Sequence, residues 1–255
     1  MRLATWNILS GRSPEEERAD LGRYAEAVRT LDADVLALQE VDRAQERSHR
    51  ADLTAVAAEA MGATDHRFAP ALVGTPGQDW RPAGPADRIA GPSYGVALLS
   101  RHPVTDWRVL RLDPVPGRAP VRWPGTVRPH LVRDEPRVAV AATVHAPGRA
   151  LTVVCTHLTF VPWWNGRQLT RLTEALEVLP RPLVLAGDLN MGPARAVRTT
   201  GLTPLAPYAT YPADAPRLQL DHVLATEGVT ARSSSVVRLP VSDHRALVVD
   251  VDLPH

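Results

Sequence analysis

The stretch Leu183-Val184-Leu185-Ala186-Gly187-Asp188-Leu189-Asn190 decides the fold class of this chain. Four apolar residues in a row read as a strand covered on both faces. Gly187 lets the backbone turn at the strand's end. Asp188 and Asn190, two residues apart, then point to the same side. The carboxyl ends of buried strands are where α/β proteins hold ligands, and oxygen ligands of this kind suit a hard cation beside a phosphate. Asn is also scarce. The chain has three (Asn7, Asn165 and Asn190), no Lys among its 29 cationic residues, and two Ile, Ile8 and Ile89. This is the usage of GC-rich coding sequence, so an Asn retained at a strand end is informative.

Upstream, residues 2–9 read as a first strand. Residues 14–31 predict a helix, with Pro14 near its start, Glu15-Glu16-Glu17 in its first turn, and Leu21, Ala25 and Val28 at helical spacing. Val35-Leu36-Ala37-Leu38 is a second buried strand, ending in Gln39-Glu40. Residues 51–61 predict a helix closed by Gly62, and residues 96–100 a strand. Residues 137–145 and 150–156 pair around Pro147-Gly148, and residues 166–179 form another helix. Residues 220–225 and 246–251 are the last strands. Residues 70–92 and 112–136 are rich in Pro and read as long loops, which in a compact domain are functional or disordered. No repeat or linker divides the chain. The expectation is a single layered α/β domain over residues 1–255.

Bulk properties exclude several classes. A net charge of +1 over 255 residues gives no strong global field for nucleic acid or anionic membrane. The single Cys155 rules out an internal disulfide or a thiolate metal cluster. No apolar stretch is long enough to span a bilayer. The N-terminus enters a strand directly, with no signal-peptide pattern. A cytoplasmic location is the default expectation, and nothing requires an oligomer.

Polar groups recur at strand ends. Trp6-Asn7 follows the first apolar segment, Gln39-Glu40 the second, and Thr156-His157 follows Val153-Val154-Cys155. Asp221-His222 opens a strand, and Ser242-Asp243-His244 precedes the last. With Tyr94-Gly95-Val96-Ala97-Leu98-Leu99-Ser100-Arg101 and Gly187-Asp188-Leu189-Asn190, these stretches resemble the endonuclease/exonuclease/phosphatase superfamily, which includes deoxyribonuclease I, exonuclease III, inositol polyphosphate 5-phosphatases and neutral sphingomyelinases. The resemblance runs over essentially the whole chain. It implies two mixed β-sheets packed face to face with helices outside, a four-layer α/β sandwich.

The resemblance also implies roles. Glu40 would be the principal metal carboxylate, with Asn7 and Asp243 as direct or water-bridged ligands to Mg²⁺ or Mn²⁺, one or two ions. Asp188 and Asn190 would orient water or a phosphate oxygen and touch a second metal. His244 would act as general base or as an imidazolium on the phosphate, oriented by Asp221. His157 would donate to the phosphate or protonate the leaving oxygen. Singly, each residue has an ordinary reading: Asp221 and Asp243 as strand-end caps, His157 as an edge histidine, and Arg137 as half of a salt bridge rather than a phosphate contact. Tyr94 edges the pocket beside Gly95. His222, His130 and His145 read as structural.

The branch is not fixed. The exonuclease III branch continues its first motif with Asn-Gly-Ile/Leu-Arg, where this chain has Ile8-Leu9-Ser10-Gly11, and it has a Tyr where this chain has His157. The long blocks of the 5-phosphatases and the signal peptide of secreted sphingomyelinases are not evident. Three substrate readings follow. In a nucleic-acid phosphodiesterase, Arg108, Arg111, Arg118, Arg122, Arg128 and Arg133 would contact backbone phosphates, and Trp163-Trp164 would stack bases. In an enzyme of small or lipid phosphoesters, the two long loops would shape a pocket and the Trp pair would meet a membrane surface. The third reading is a catalytically silent binding module.

Overall fold

The computed structural model describes residues 1–85, 87, 91–121 and 128–253. In chain order the elements are β1 (Arg2–Asn7), α1 (Leu21–Leu31), β2 (Val35–Arg43), α2 (Leu53–Met61), β3 (Asp65–Gly74), β4 (Trp80–Pro82), β5 (Ser93–Ser100), β6 (Val104–Leu112), β7 (Ala119–Val121) and β8 (His130–Val132). They continue as β9 (Arg137–Ala146), β10 (Arg149–His157), α3 (Pro162–Leu176), β11 (Leu183–Asp188), α4 (Pro193–Thr200), β12 (Thr203–Pro204), β13 (Asp221–Ala225), β14 (Thr230–Val237) and β15 (Ala246–Asp252). One sheet has the order β14-β15-β1-β2-β5-β3-β4 and the other β12-β13-β11-β10-β9-β6, while β7 and β8 form a separate ribbon. Both large sheets are mixed: β1 and β2 are parallel, as are β10 and β11, and the other neighbours are antiparallel.

Alternation along the strands builds the four layers. Val35 and Ala37 face the inter-sheet core, with Leu3, Val96 and Leu98 from the same sheet and Val140, Val153, Cys155, Val184, Ala186 and Val223 from the other. Leu36 and Leu38 point the opposite way, onto Tyr24, Val28 and Leu31 of α1 and Leu53 and Ala57 of α2. On the second sheet Leu183, Leu185 and Val154 turn outward onto Leu169, Leu172 and Leu176 of α3. Strands buried on both faces carry apolar residues at every position, which is why the continuous runs were readable.

Several boundaries differ from the sequence expectation. Helix α1 starts at Leu21, not at residue 14, because Asp20 is its N-cap and accepts from the Arg23 N–H. The preceding segment makes turns and bends instead, pinned by backbone bonds from Asp20 N to Gly11 O and from Ala19 N to Arg47 O. The expected loop 70–92 contains the end of β3, with Pro70 at a register shift, and all of β4. The expected loop 112–136 contains the β7–β8 ribbon, and its residues 122–127, with Arg122, lie outside the described residues. Strands β6 and β14 and helix α4 were not expected. Gly187 does not make a turn. It lies within β11 at φ 146°, where a Cβ would sit 2.0 Å from the Thr156 carbonyl oxygen of β10. The glycine lets neighbouring strands approach.

Candidate active site

The alternation that builds the core also aims the polar strand ends. Asn7 continues the inward set after Leu3 and Thr5, His157 the set after Val153 and Cys155, and Asp188 the set after Val184 and Ala186; Asp221 has the parity of Val223 and Ala225. His157, Asp188 and Asp221 are register partners across three adjacent strands. Glu40 would point outward by parity. A register shift between Leu38 and Val41 changes this, and Glu40 takes φ 58° there. A bulge with a residue in the left-handed region is a common way to re-aim a side chain at a site. Gln39, the inward residue before it, is spent on the core, where its Nε2 donates to Thr5 Oγ1 at 3.1 Å.

The amide of Asn7 ties the two sheets together. Its Nδ2 donates to Glu40 Oε1 and to Asp188 Oδ2, both at 3.1 Å, and its Oδ1 accepts the Leu9 N–H at 3.2 Å. Asp188 Oδ1 accepts the Asn190 N–H at 2.9 Å, which closes the turn that puts Asn190 at φ 50°. Asn190 Nδ2 donates to Leu158 O at 2.9 Å and sits 3.2 Å from His157 Nε2. His244 Nδ1 lies 2.8 Å from Asp221 Oδ2, and His244 Nε2 lies 3.8 Å from Asp188 Oδ2. Ser242 sets that histidine: its Oγ accepts the His244 N–H at 3.0 Å and donates to Asn7 O at 2.6 Å. Arg137 Nη1 donates toward His157 Nδ1 at 3.4 Å, while its buried Nε has no partner.

Burial and charge set the protonation of these groups. Burial pushes the Asp188 carboxyl up to about 7, and the charge of Asp221 adds to it. Burial also raises Glu40, against the hydrogen bond from Asn7. His244 is pulled both ways: burial disfavours its cation, but the charge and hydrogen bond of Asp221, with Asp188 and Asp243 beyond, push it up to about 10. His157 goes the other way, held well below the ordinary histidine value by burial and by the cations Arg137 and His244. The site therefore pairs a charged with a neutral histidine.

The donor set fits a hard divalent cation. Glu40 and Asp188 are desolvated carboxyls whose upward shifts mark an anionic charge that a bound cation would relieve. Asp221 Oδ1 is buried without a hydrogen-bond partner. Asp188, Asp221 and His244 bring one ligand atom each within 4.8 Å of one another. In that trio His244 Nδ1 and Asp221 Oδ2 already satisfy each other, so Glu40 with Asp188 is the better oxygen pair for the ion.

One cavity of about 820 Å³ is lined by Asn7, Glu40, Tyr94, Arg137, His157, Asp188, Asn190, Asp243 and His244. Asp221 is fully buried and reaches the cavity only through His244. Trp163 and Trp164 do not belong to it. Helix α3 starts at Pro162 and turns them away: Trp163 is 56% exposed, and Trp164 lines a separate cleft of about 620 Å³, donating its Nε1–H to Asp113 O at 2.8 Å. Neither indole lines the cavity that holds Glu40 and His244. Tyr211 is a lining residue that the sequence did not signal, its ring centroid 4.9 Å from that of His244. It lies in the strand-poor stretch before β13, where no periodicity points to a site. His222 is structural, as expected, with Nε2 2.8 Å from Met191 O.

The sequence profile of the Endonuclease/Exonuclease/phosphatase family matches residues 4–244. The chain belongs to this family. Members are generally hydrolases of phosphoesters that use a divalent metal. A relative in Escherichia coli (strain K12), the uncharacterized protein YbhP, is 27% identical over 275 residues, which covers 99% of this chain and 96% of YbhP. An endonuclease/exonuclease/phosphatase from Beutenbergia cavernae DSM 12333 superposes with a TM-score of 0.70 at 23% identity, covering 100% of this chain and 72% of the other. Sphingomyelinase C from Streptomyces griseocarneus superposes with a TM-score of 0.65 at 17% identity, covering 98% of each chain. At these identities the two structures establish the shared fold and leave the substrate to the chemistry of the cavity.

Proposed function

We propose that residues 1–255 form one catalytic unit, a phosphoester hydrolase that depends on Mg²⁺ or Mn²⁺ and uses water as nucleophile. The observation that carries this reading is that Glu40, Asp188 and Asp243 share one cavity with the cation Arg137 and with His244, whose imidazole is pushed up to about 10. Carboxylates alone would repel a phosphate, and cations alone would not hold a metal. Glu40 and Asp188 would hold the ion, with Asn7 and Asp243 beside them; the ion, when bound, neutralises phosphate charge and polarises the P–O bonds.

The chain's own residues divide the remaining work. Arg137, which lines the cavity, offers its guanidinium to a phosphate oxygen. His244, kept charged and oriented by Asp221, donates to the charge that develops on phosphorus-bound oxygen. Asp188 and Asn190 orient the attacking water, whose proton passes to solvent in the open cavity. His157, neutral, donates toward the ester oxygen. The water oxygen bonds to phosphorus, the ester P–O bond breaks on the far side, and the leaving oxygen is protonated from solvent in the open cavity.

A small-molecule or lipid phosphoester suits the cavity better than a nucleic-acid strand. A volume of about 820 Å³ is in the range of small-ligand pockets, and the Trp pair that would have stacked bases lies elsewhere. The test is a screen of nucleic acids, nucleotides, sugar and inositol phosphates and phospholipids with Mg²⁺ or Mn²⁺. Wild type is expected to turn over at least one compound, to lose activity in EDTA, and to lose about 10²–10⁴-fold on His244→Ala. Turnover that is unchanged in EDTA, or equal in His244→Ala, rejects the mechanism, and no turnover on any compound leaves the silent binding module.

A further inference from the structure

The cavity has a second cationic end that the reaction above does not use. Arg118 and Arg133 line it together with Trp80 and Leu131. The Arg133 guanidinium lies 3.8 Å from the centroid of the Trp80 ring. Neighbouring arginines are tied up: Arg111 donates to Ala83 O and Gly84 O, and Arg171 pairs with Asp113. Arg118 and Arg133 have no carboxylate partner among the described residues. A guanidinium lying on an indole is oriented by the ring, while the N–H groups at its edge stay open to an anion.

We propose that this end is a subsite for a second phosphate on a small-molecule substrate, so that the preferred compounds carry two phosphates. The proposal rests on the phosphoester reading of the inner end. The fold gives the spacing. Arg133 is four residues before Arg137, so their Cα atoms are at most about 14 Å apart. Trp80 comes from β4 and Arg133 follows β8, so the subsite is built where the β3–β4 hairpin meets the β7–β8 ribbon. Glu135 also lines the cavity and acts on Arg137 through its charge. In the chain it lies between Arg133 and Arg137. Leu131, 63% exposed, offers an apolar wall for the linker between the two phosphates.

The probes are alkane-α,ω-bisphosphonates with two to six carbons and the matching alkyl monophosphonates. Their C–P bonds are not hydrolysed, so calorimetric binding can be measured on the full chain with excess Mg²⁺. At the best linker length the bisphosphonate is expected to bind roughly tenfold tighter, about 1.4 kcal/mol, beyond the twofold due to having two ends. Arg133→Ala and Arg118→Ala should remove most of that preference and leave the monophosphonate affinity within about twofold, with Arg133→Lys intermediate because it keeps the charge and loses the planar stack. Equal affinities in wild type at every length, or a preference that survives the double substitution, overturns the proposal. A single-stranded oligonucleotide that binds more tightly than every bisphosphonate, and does so through Arg133, overturns the small-molecule assignment. Absence of turnover on any phosphoester, with the bisphosphonate preference intact, would defeat the hydrolase reading and leave the subsite standing.

Discussion

Asp188 carries the sharpest consequence of burying acids together. Its carboxyl is raised to about 7, above the ordinary 3.8, by burial first and then by Asp221. The folded chain thus keeps a proton that the unfolded chain releases. Stability from this group is fully present below the unfolded value and is lost as pH rises through about 7. His244, raised to about 10 from 6.5, acts in the same direction over a higher window: its contribution is full below 6.5 and lost toward 10. His157, lowered, opposes them on the acid side, where the unfolded chain takes up a proton that the folded chain refuses. A divalent ion on Asp188 must displace the proton below about pH 7. Mg²⁺ is therefore expected to raise the melting temperature more at pH 8 than at pH 6, and its apparent affinity is expected to fall by up to tenfold per pH unit below 7. Titrations by differential scanning fluorimetry at four pH values check this; equal shifts at pH 6 and 8 would remove Asp188 from the ion's shell.

At this scale the sequence was unusually readable. With Asn scarce, each one retained is placed: Asn7 joins Glu40 to Asp188, Asn190 meets His157, and Asn165, without a role in the sequence, donates its Nδ2–H to Asn190 O at 2.7 Å. Tyr211 and Trp80 were not readable, because loop and hairpin residues have no period that tells which way a ring points.

Elements show where pattern reading works and where it cannot. Runs such as Val35–Leu38 and Leu183–Ala186 are covered on both faces, so their apolar content is continuous and obvious. Strand β14, Thr230–Val237, has no apolar run to reveal it because it is a polar edge strand, paired with β15 and mostly exposed. Strand β3 hides because Pro70 sits at its bulge. Gly187 was read for the right chemistry and the wrong reason: it serves strand contact rather than a turn. Its φ of 146° and the 2.0 Å approach of the Thr156 carbonyl oxygen to a would-be Cβ make β10 and β11 intolerant of any side chain there. Gly187→Ala is expected to cost about 3–5 kcal/mol or to abolish soluble expression. Gly148→Ala, whose Cβ would meet nothing within 4 Å, is the control at positive φ and should cost about 1 kcal/mol. Urea melts of the two variants decide it; equal costs would mean that the β10–β11 contact relaxes freely.

The whole molecule depends on the two sheets staying face to face, since Asn7 and Glu40 come from one and His157, Asp188 and Asp221 from the other. Sheet order was not legible, because pairing partners far apart in sequence leave no periodic trace; strand parity was, and it aims Asn7, His157, Asp188 and Asp221 but not Glu40, which the bulge in β2 re-aims. Cys155 offers a direct probe of that interface. It lies in the inter-sheet core, its Sγ 3.4 Å from both Gln39 Nε2 and Leu38 O of the opposite sheet. Burial pushes its thiol up to about 12, so both access and thiolate are withheld at pH 8. Ellman's reagent is expected to find no reactive thiol in the native protein and one thiol per chain in strong denaturant. If the sandwich opens as one cooperative unit, the labelling midpoint in guanidinium should coincide with the loss of circular dichroism. Labelling at lower denaturant than the dichroism change would show instead that the sheets part while each remains folded, and the half-sites they carry would separate before the fold is lost.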